Sequence, residues 1–595
     1  MEMEKKNLAI IILAVILAAS GVGNVILAIT GGFVTLVPEE KKTIIIGFAT
    51  NPPALDPVDT WDVPSFQVQQ QVLQGLVQYN VSDHPNYPII PVLASSWEWT
   101  GADHVEFQIR AGVNFVEKDP DTEGAFIDTP FDADAALWNL NRLLFFCNYT
   151  GQLQENDTAW LGFPNSLYYL PDGVTPLISS VSKVNDMRIA IDLNIEFAPF
   201  LDLMCFAATF MMKPDHDYKY SIRDISTETL IGTGPYIMDA PVFSDVEVRY
   251  IRNEHFWGIN EPGWGLPWAE VVVLDIDEDD VSRNMDMLAG KIDYLQGMLP
   301  SMKDTFNESA DHTVFQLGEG LCYYYVEMYS GDHPPNPRLN VTWRKALQFA
   351  INYTYITDEI YQSLVVRAPA MVPRAMPGHN DSVVIVDFDI QKAREIMQSM
   401  DFGFTGGVPW DTTYPGTNEA DWTGASFRTV EVNRHYGSVN NEQMNLIMDQ
   451  TFALIGVDTH ETVREWGEYL DTGENHPWDM ELSYIGWCPD YLDAFNMMDP
   501  LLNPASHSNF AHINDPHVNS QLALAAITTS PAARQAIYMH LQSYLFDVTT
   551  ADHEWKYPQA PLFTSLVTYC HSSKLTYTAY NALADMWTWK MSLSD

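Results

Sequence analysis

Two periodicities alternate along this chain. Val105, Phe107 and Ile109 are separated by polar residues, as are Ile189, Ile191 and Leu193, and again Val246, Val248 and Tyr250. Alternation with a period of two predicts half-buried strands. Thr43-Ile44-Ile45-Ile46-Gly47 is instead a continuous apolar run, which predicts a strand covered on both faces. The helical period appears behind Trp343, where Ala346, Leu347, Ala350 and Ile351 share one face. It returns at Met444, Ile447, Met448, Phe452 and Ile455, with Gly456 as the stop. Asp389 predicts the cap of a helix that buries Ile396, Met397 and Met400 and ends at Gly403. Ser530-Pro531 predicts the start of a helix burying Ala533, Ile537, Leu541 and Leu545. Strands and helices alternate without an internal repeat, which predicts a mixed α/β fold. Long loops rich in Pro, Gly, Asn and Trp interrupt it at 253–268 and 403–424, and loops of that length suggest functional surface.

One apolar run is of another kind. Residues 8–30 carry no charge, and their clearly polar side chains are Ser20, Asn24 and Thr30. As a helix the run spans about 34 Å, enough to cross a bilayer. Lys5 and Lys6 precede it, which favours an N-terminus inside and the bulk of the chain outside. Ala18-Ala19-Ser20 offers the small residues of a signal-peptide cleavage site. The run nevertheless continues through Val25-Ile26-Leu27-Ala28-Ile29, longer than an ordinary signal core. The expectation is a retained N-terminal membrane helix on the cell membrane, with residues 31–42 as a tether and the rest extracellular. No Cys follows the run, so a lipid-modified cysteine is excluded, and no second run of this length suggests a multi-span channel. Given export, the sequons at Asn80, Asn148, Asn156, Asn307, Asn340, Asn352 and Asn380 become candidate glycan sites.

Composition narrows the function. A chain of 595 residues suggests two to four domains. Lys and Arg total 31 against 78 Asp and Glu, a formal charge of −47, which argues against nucleic-acid partners. Charged residues make up only 18%, so the chain is poor in bases rather than overloaded with acids. Cys147, Cys205, Cys322, Cys488 and Cys570 form no C-x-x-C pair, which leaves zinc ribbons and thioredoxin-like motifs unsupported. Spacing alone leaves their pairing open, and an odd count leaves at least one unpaired within the chain.

Catalytic signatures are missing. There is no phosphate loop, no G-x-S-x-G elbow and no H-E-x-x-H. Gly232-Thr233-Gly234-Pro235-Tyr236 reads as a tight turn before a strand, because Pro235 and the lack of a third Gly spoil a dinucleotide loop. His507 and His512 read as a solvated loop rather than metal ligands. The acidic run at 275–280 lacks calcium-loop spacing. No metal and no cofactor are expected, and a binding protein is favoured over an enzyme.

Several stretches resemble the extracellular solute-binding proteins of the dipeptide, oligopeptide and nickel ABC importer family. Leu55-Asp56-Pro57 and Gln74-Gly75-Leu76-Val77 look like the family's opening. Pro91-Val92-Leu93-Ala94-Ser95-Ser96-Trp97-Glu98, Phe107 to Phe115 and Pro130-Phe131-Asp132-Ala133-Asp134 follow in family order. So do Gly232 to Tyr236, Arg252 to Gly258, Gly290-Lys291-Ile292-Asp293, Arg344-Lys345-Ala346-Leu347 and Gly486-Trp487-Cys488-Pro489-Asp490-Tyr491. Two departures stand out. An acidic insert occupies 116–129, and Tyr484 stands where some peptide-binding members carry Arg.

The resemblance implies an α/β, two-lobed periplasmic-binding-protein-like fold with an extra subdomain and a cleft between the lobes. Lobe I is expected at 43–80, 226–300 and 558–595, the added subdomain at 81–225 and lobe II at 301–557. The implied function is peptide capture for an ABC importer, with permease subunits as partners. Asp490 would receive the ligand's α-ammonium. The backbone of Gly486 and Cys488 would pair with the ligand main chain, and Trp487, Tyr323, Tyr324 and Tyr325 would supply walls. Cys322 and Cys488 resemble two segments that are disulfide-linked in some oligopeptide-binding members. Alternatives are an oligosaccharide-binding member, as some archaeal relatives are, or a surface enzyme or adhesin on the same scaffold.

Overall fold

The computed structural model describes residues 25–30, 33–38, 41–60, 62–147, 167–170, 175–215, 221–222, 229–240, 246–331, 340–399, 428–583 and 585–594. Its spine is an eleven-stranded mixed sheet. The apolar run forms the strand Thr43–Phe48, paired in parallel with Val271–Ile276, so that Ile44 lies opposite Val272 and Ile46 opposite Leu274. The alternating segment Glu247–Arg252 extends this end antiparallel to Val271–Ile276. Tyr294–Leu295 flanks Thr43–Phe48 on its other side.

Two long antiparallel strands, His312–Met328 and Gln559–Ser572, carry the sheet onward. At one end, Gln559–Ser572 pairs with Tyr294–Leu295 through Tyr294 opposite His571. Farther along the pair, His312–Met328 takes Leu482–Trp487 as neighbour, followed by Arg428–His435 and Val457–Arg464. The register slips at Gln316/Gly318, at Glu319/Tyr323 and at Tyr324/Tyr325. Such irregularities bend a strand and re-aim its side chains. Here they fall between the two ends of the sheet, beside Cys322.

Helices cover the faces as their periodicity predicts. Asn340 caps Val341–Ala350, which buries Trp343, Ala346, Leu347 and Ala350. Ser438 caps Val439–Ala453, which buries Met444, Met448 and Phe452 ahead of Gly456 at φ 71°. Asp389 accepts from the Lys392 N–H at the head of Ile390–Ser399. Met400, Gly403 and the loop at 403–424 lie outside the described residues.

A separate four-stranded sheet, ordered Ile178–Asn185, Arg188–Leu193, His104–Ile109 and Ala94–Trp99, falls within 81–225. Helix Ala133–Phe146 packs on it. This layer is fastened to the main body by a buried ion pair. Arg142 donates to both oxygens of Asp56 at 2.6 Å, and Asp56 caps the turn Pro57–Asp59. The acidic insert is a hairpin, Asn114–Lys118 with Phe126–Pro130.

Gly232 and Gly234 answer to a close approach. A Cβ on either would come within 2.0 and 2.6 Å of the Val72 carbonyl oxygen, to which the Gly234 N–H donates. The motif is therefore a turn seated on neighbouring backbone, ahead of the strand Tyr236–Met238.

Four expectations are corrected. Val246 is 60% exposed, because the strand begins one residue later. Ala533 is exposed, because Pro531–Phe546 turns its first two turns to solvent and buries from Tyr538 onward. Asn380 is buried with its amide donating to Met539 and Ser543, which leaves no room for a glycan. The last six residues of the expected membrane helix, Val25–Thr30, form a strand paired with Phe33–Pro38. The rest of that helix, with the sequons at Asn148 and Asn156, lies outside the described residues. Among the described residues no helix is long and apolar enough to cross a membrane.

Candidate functional site

Three adjoining cavities share walls and form one cleft. The most enclosed, of about 70 Å³, is lined by the helix Val63–Gln69, by the segment Cys488-Pro489-Asp490, and by the C-terminal residues Leu583, Asp585, Trp587 and Trp589. The second, of about 390 Å³, shares Asp62, Val63, Cys488 and Asp490 with it and opens along Tyr324, Tyr325, Tyr484 and Gly486. The third, of about 490 Å³, shares Val63, Pro64, Cys322 and Tyr324 with the second.

Asp490 sits where the two more enclosed cavities meet. It follows the strand Leu482–Trp487, and Asn496 fixes it from the head of the next helix, Phe495–Leu502. The Asp490 N–H donates to Asn496 Oδ1 at 2.6 Å, and Asn496 Nδ2 donates back to Asp490 Oδ2 at 2.8 Å. The Trp487 indole donates to the Asn496 carbonyl at 2.9 Å. Protein encloses the carboxyl while part of its surface stays open to the cavity. Burial pushes its pKa up to about 7, with the Asn496 amide working against the rise.

Two further carboxyls line the narrow cavity. Asp62 caps Val63–Gln69 by accepting from the Ser65 N–H at 3.0 Å. Burial raises its pKa to about 6, against that hydrogen bond. The Trp466 indole is close enough to favour the charged form without completing a hydrogen bond. Asp585 is held by its backbone, whose N–H and carbonyl both meet the Asn581 side chain. Burial alone pushes its carboxyl up to about 7. No Lys or Arg is among the described residues lining the three cavities. Their one imidazole, His435, is driven toward its neutral form by burial. The described residues thus make the cleft an acidic chamber in which none of them supplies a Lys or Arg counter-ion.

The remaining candidates divide. Cys322 and Cys488 are joined by a disulfide across the cleft wall. Gly486 lies against the Tyr324 ring, where a Cβ would come within 2.6 Å, so only glycine lets Tyr324 lie along the cavity. Tyr324 stacks on Phe563 with ring centres 5.1 Å apart. Tyr325 and Trp487 reach the second cavity from largely buried positions. Tyr323 is fully buried, stacks on Tyr325 and donates to Gln559, and lines none of the three cavities. Tyr484 lines the second cavity with its hydroxyl unpartnered.

Sequence reasoning missed Asp62, Asp585, Asn496 and the aromatic wall of Phe66, Phe210, Trp587 and Trp589. Asp62 carried a signal, since Asp followed by Val63-Pro64 is a helix start. The tryptophans are braced from behind by the loop at 253–268. Its Trp264 stacks on Trp587 and Trp589 at 6.4 and 6.2 Å between ring centres.

Residues 88–509 match the family model described as bacterial extracellular solute-binding proteins, family 5, middle region. The chain belongs to this family. Within it, the chain is 26% identical to heme-binding protein A of Haemophilus influenzae over 80% of this chain and 79% of that one. It is 23% identical to di/tripeptide-binding protein 1 of Pseudomonas aeruginosa over 86% and 88%. A solved dipeptide-binding protein of Pseudoalteromonas sp. SM9913, in complex with Met-Leu, superposes with a TM-score of 0.76 at 19% identity. That match covers 93% of this chain and all of the other. The likeness establishes the two-lobed solute-binding fold of the family 5 proteins.

Proposed function

We propose that this family 5 protein captures short peptides in the cleft, holding the ligand's α-ammonium at Asp490, and delivers them to an ABC importer. The observation that carries the reading is Asp490 itself, a carboxyl oriented by Asn496 and open to a chamber with no Lys or Arg among the described residues of its walls. An ammonium about 4 Å from a carboxylate gains about 4 kcal/mol at an effective dielectric of ~20, less the cost of desolvation. Relatives named for dipeptides and tripeptides support the class. Main-chain groups beside Cys488 would pair with a peptide backbone, a mode that gives affinity without reading side chains.

Lobe I is assigned to 43–80, 226–300 and 558–595, the subdomain to 81–225 and lobe II to 301–557. The long pair His312–Met328 and Gln559–Ser572 connects the lobes. A chain that crosses between lobes more than once supports hinge closure on ligand. Membrane attachment is assigned to the apolar segment before Val25.

An oligosaccharide has the aromatic walls in its favour, but a neutral sugar supplies no cation for the three carboxyls that line the cavity. Native mass spectrometry of the purified chain, followed by calorimetry with a free-amine peptide and its N-acetyl form, tests the reading. Peptide co-purification and loss of binding on acetylation are expected. Binding of sugars with no response to peptides overturns it.

A further inference from the structure

An α-ammonium at Asp490 engages one of three carboxyls that line the chamber. Asp62, Asp490 and Asp585 come from a helix start, a strand end and the C-terminal segment, and all line the same narrow cavity. Nearby, the Asp59 carboxyl is raised to about 7 by burial and then by Asp56 and Asp62, with Arg142 opposing the rise. Asp62 spends one oxygen on the Ser65 N–H, and no hydrogen bond or ion pair among the described residues reaches the Asp585 carboxylate. The apolar walls are aromatic faces, which house the methylene stem of a long basic side chain and attract its charged head.

A second observation is independent of the acids. Gln70 and Trp589 line this cavity at 5% and 8% exposure, and among the described residues Gln70 Nε2 and Trp589 Nε1 have no hydrogen-bond partner. Gln78 Nε2, on the same wall, is also unpartnered. Buried donors without acceptors are uncommon, because each forfeits its solvation. The carbonyl or carboxylate oxygens of a ligand would supply the missing acceptors. The chamber therefore offers acceptors for two cations and donors for ligand oxygens together. A polyamine lacks the oxygens and a neutral peptide lacks the second cation.

Building on the peptide reading, we propose that the cleft selects peptides with a second positive charge, a Lys or Arg side chain seated at Asp62 and Asp585 while Asp490 takes the amine. The test is titration calorimetry of the full chain with Ala-Lys and Lys-Ala against the same peptides carrying norleucine, which keeps the stem and removes the charge. The better lysine peptide is expected to bind about tenfold to a hundredfold more tightly than its norleucine counterpart. Asp585→Asn and Asp62→Asn are expected to bring that ratio toward one. Equal binding of lysine and norleucine peptides overturns the charge selection and leaves the peptide reading standing. Failure of all four peptides overturns both.

Discussion

Asp490 and Asn496 clasp one another through two reciprocal hydrogen bonds, backbone to side chain at 2.6 Å and side chain to side chain at 2.8 Å. Six residues apart, they join the end of a strand to the first turn of a helix. The clasp leaves Asp490 one oxygen for the cavity and gives the carboxyl a single orientation. It also opposes the effect of burial, because the Asn496 amide favours the charged form.

Replacing Asn496 with Asp keeps the shape and sets a second acid beside Asp490. Like charges that close disfavour ionisation of both. The pH at which peptide binding reaches half its maximum is expected to move upward by about one unit or more. Calorimetry from pH 5 to 9 reads the shift, and an unmoved midpoint would show that Asn496 does not govern Asp490.

Acidity should act on binding and on stability in opposite directions. Asp490 and Asp585 are raised to about 7 and Asp62 to about 6, from an ordinary value of 3.8. Between those limits the folded, unliganded protein holds protons that the unfolded chain has lost. The stability contribution is therefore full below about pH 4 and is lost as pH rises through 6–7. A cation binds the ionised carboxyls, so affinity is expected to rise over the same interval, with protons released on binding. Calorimetry at pH 6.5 in two buffers of different ionisation heat measures the release, and proton uptake would contradict the assignment.

The disulfide closes a sequence separation of 166 residues. Loop-closure entropy sets its contribution at up to about 5 kcal/mol, although delivered values are often smaller. Cys322→Ser with Cys488→Ser is expected to lower the denaturant midpoint and to weaken peptide binding, since Cys488 stands two residues before Asp490. Cys147, Cys205 and Cys570 are buried and lie outside the disulfide. Unfolding without reductant should expose three alkylatable cysteines, and five would mean that the bond does not form.

The pair Asp56–Arg142 is the buried fastening between the main body and the added layer. Removing one partner strands the other charge, at a cost of about 3–5 kcal/mol. Asp56→Ala is expected to destabilise by this amount in denaturant titration, and Asp56→Leu with Arg142→Met by distinctly less. Equal losses for the two variants would show that desolvation of the remaining charge is not the cause.

Sequence pattern carried the local structure further than the site. Helices such as Val341–Ala350 and Val439–Ala453 were legible because an amphipathic face and a cap are local properties. So was the strand Thr43–Phe48. Asp490 became a candidate through a family motif, since nothing in its neighbours alone separates it from a turn residue. Asp585 could not be seen, because its significance lies in meeting Asp62 and Asp490, residues remote from it in the chain. Tyr323 was read as a wall with its neighbours, but it lies fully buried behind Tyr325, stacked on that ring with its hydroxyl on Gln559, while Tyr324 and Tyr325 line the second cavity. The run 8–30 misled at its end, where Gly31-Gly32 separates two short apolar segments that pair as a hairpin.

The most direct measurement is the affinity of Asp490→Asn for a peptide that the wild type binds. The substitution keeps size and shape and deletes the charge, leaving the ligand ammonium in an enclosed site without its counter-ion. A loss of roughly 2–5 kcal/mol is expected, about thirtyfold or more in Kd, with the melting temperature of the unliganded variant not lowered. Wild-type affinity in the Asn variant would contradict the ammonium anchor and, with it, the proposed mode of peptide capture.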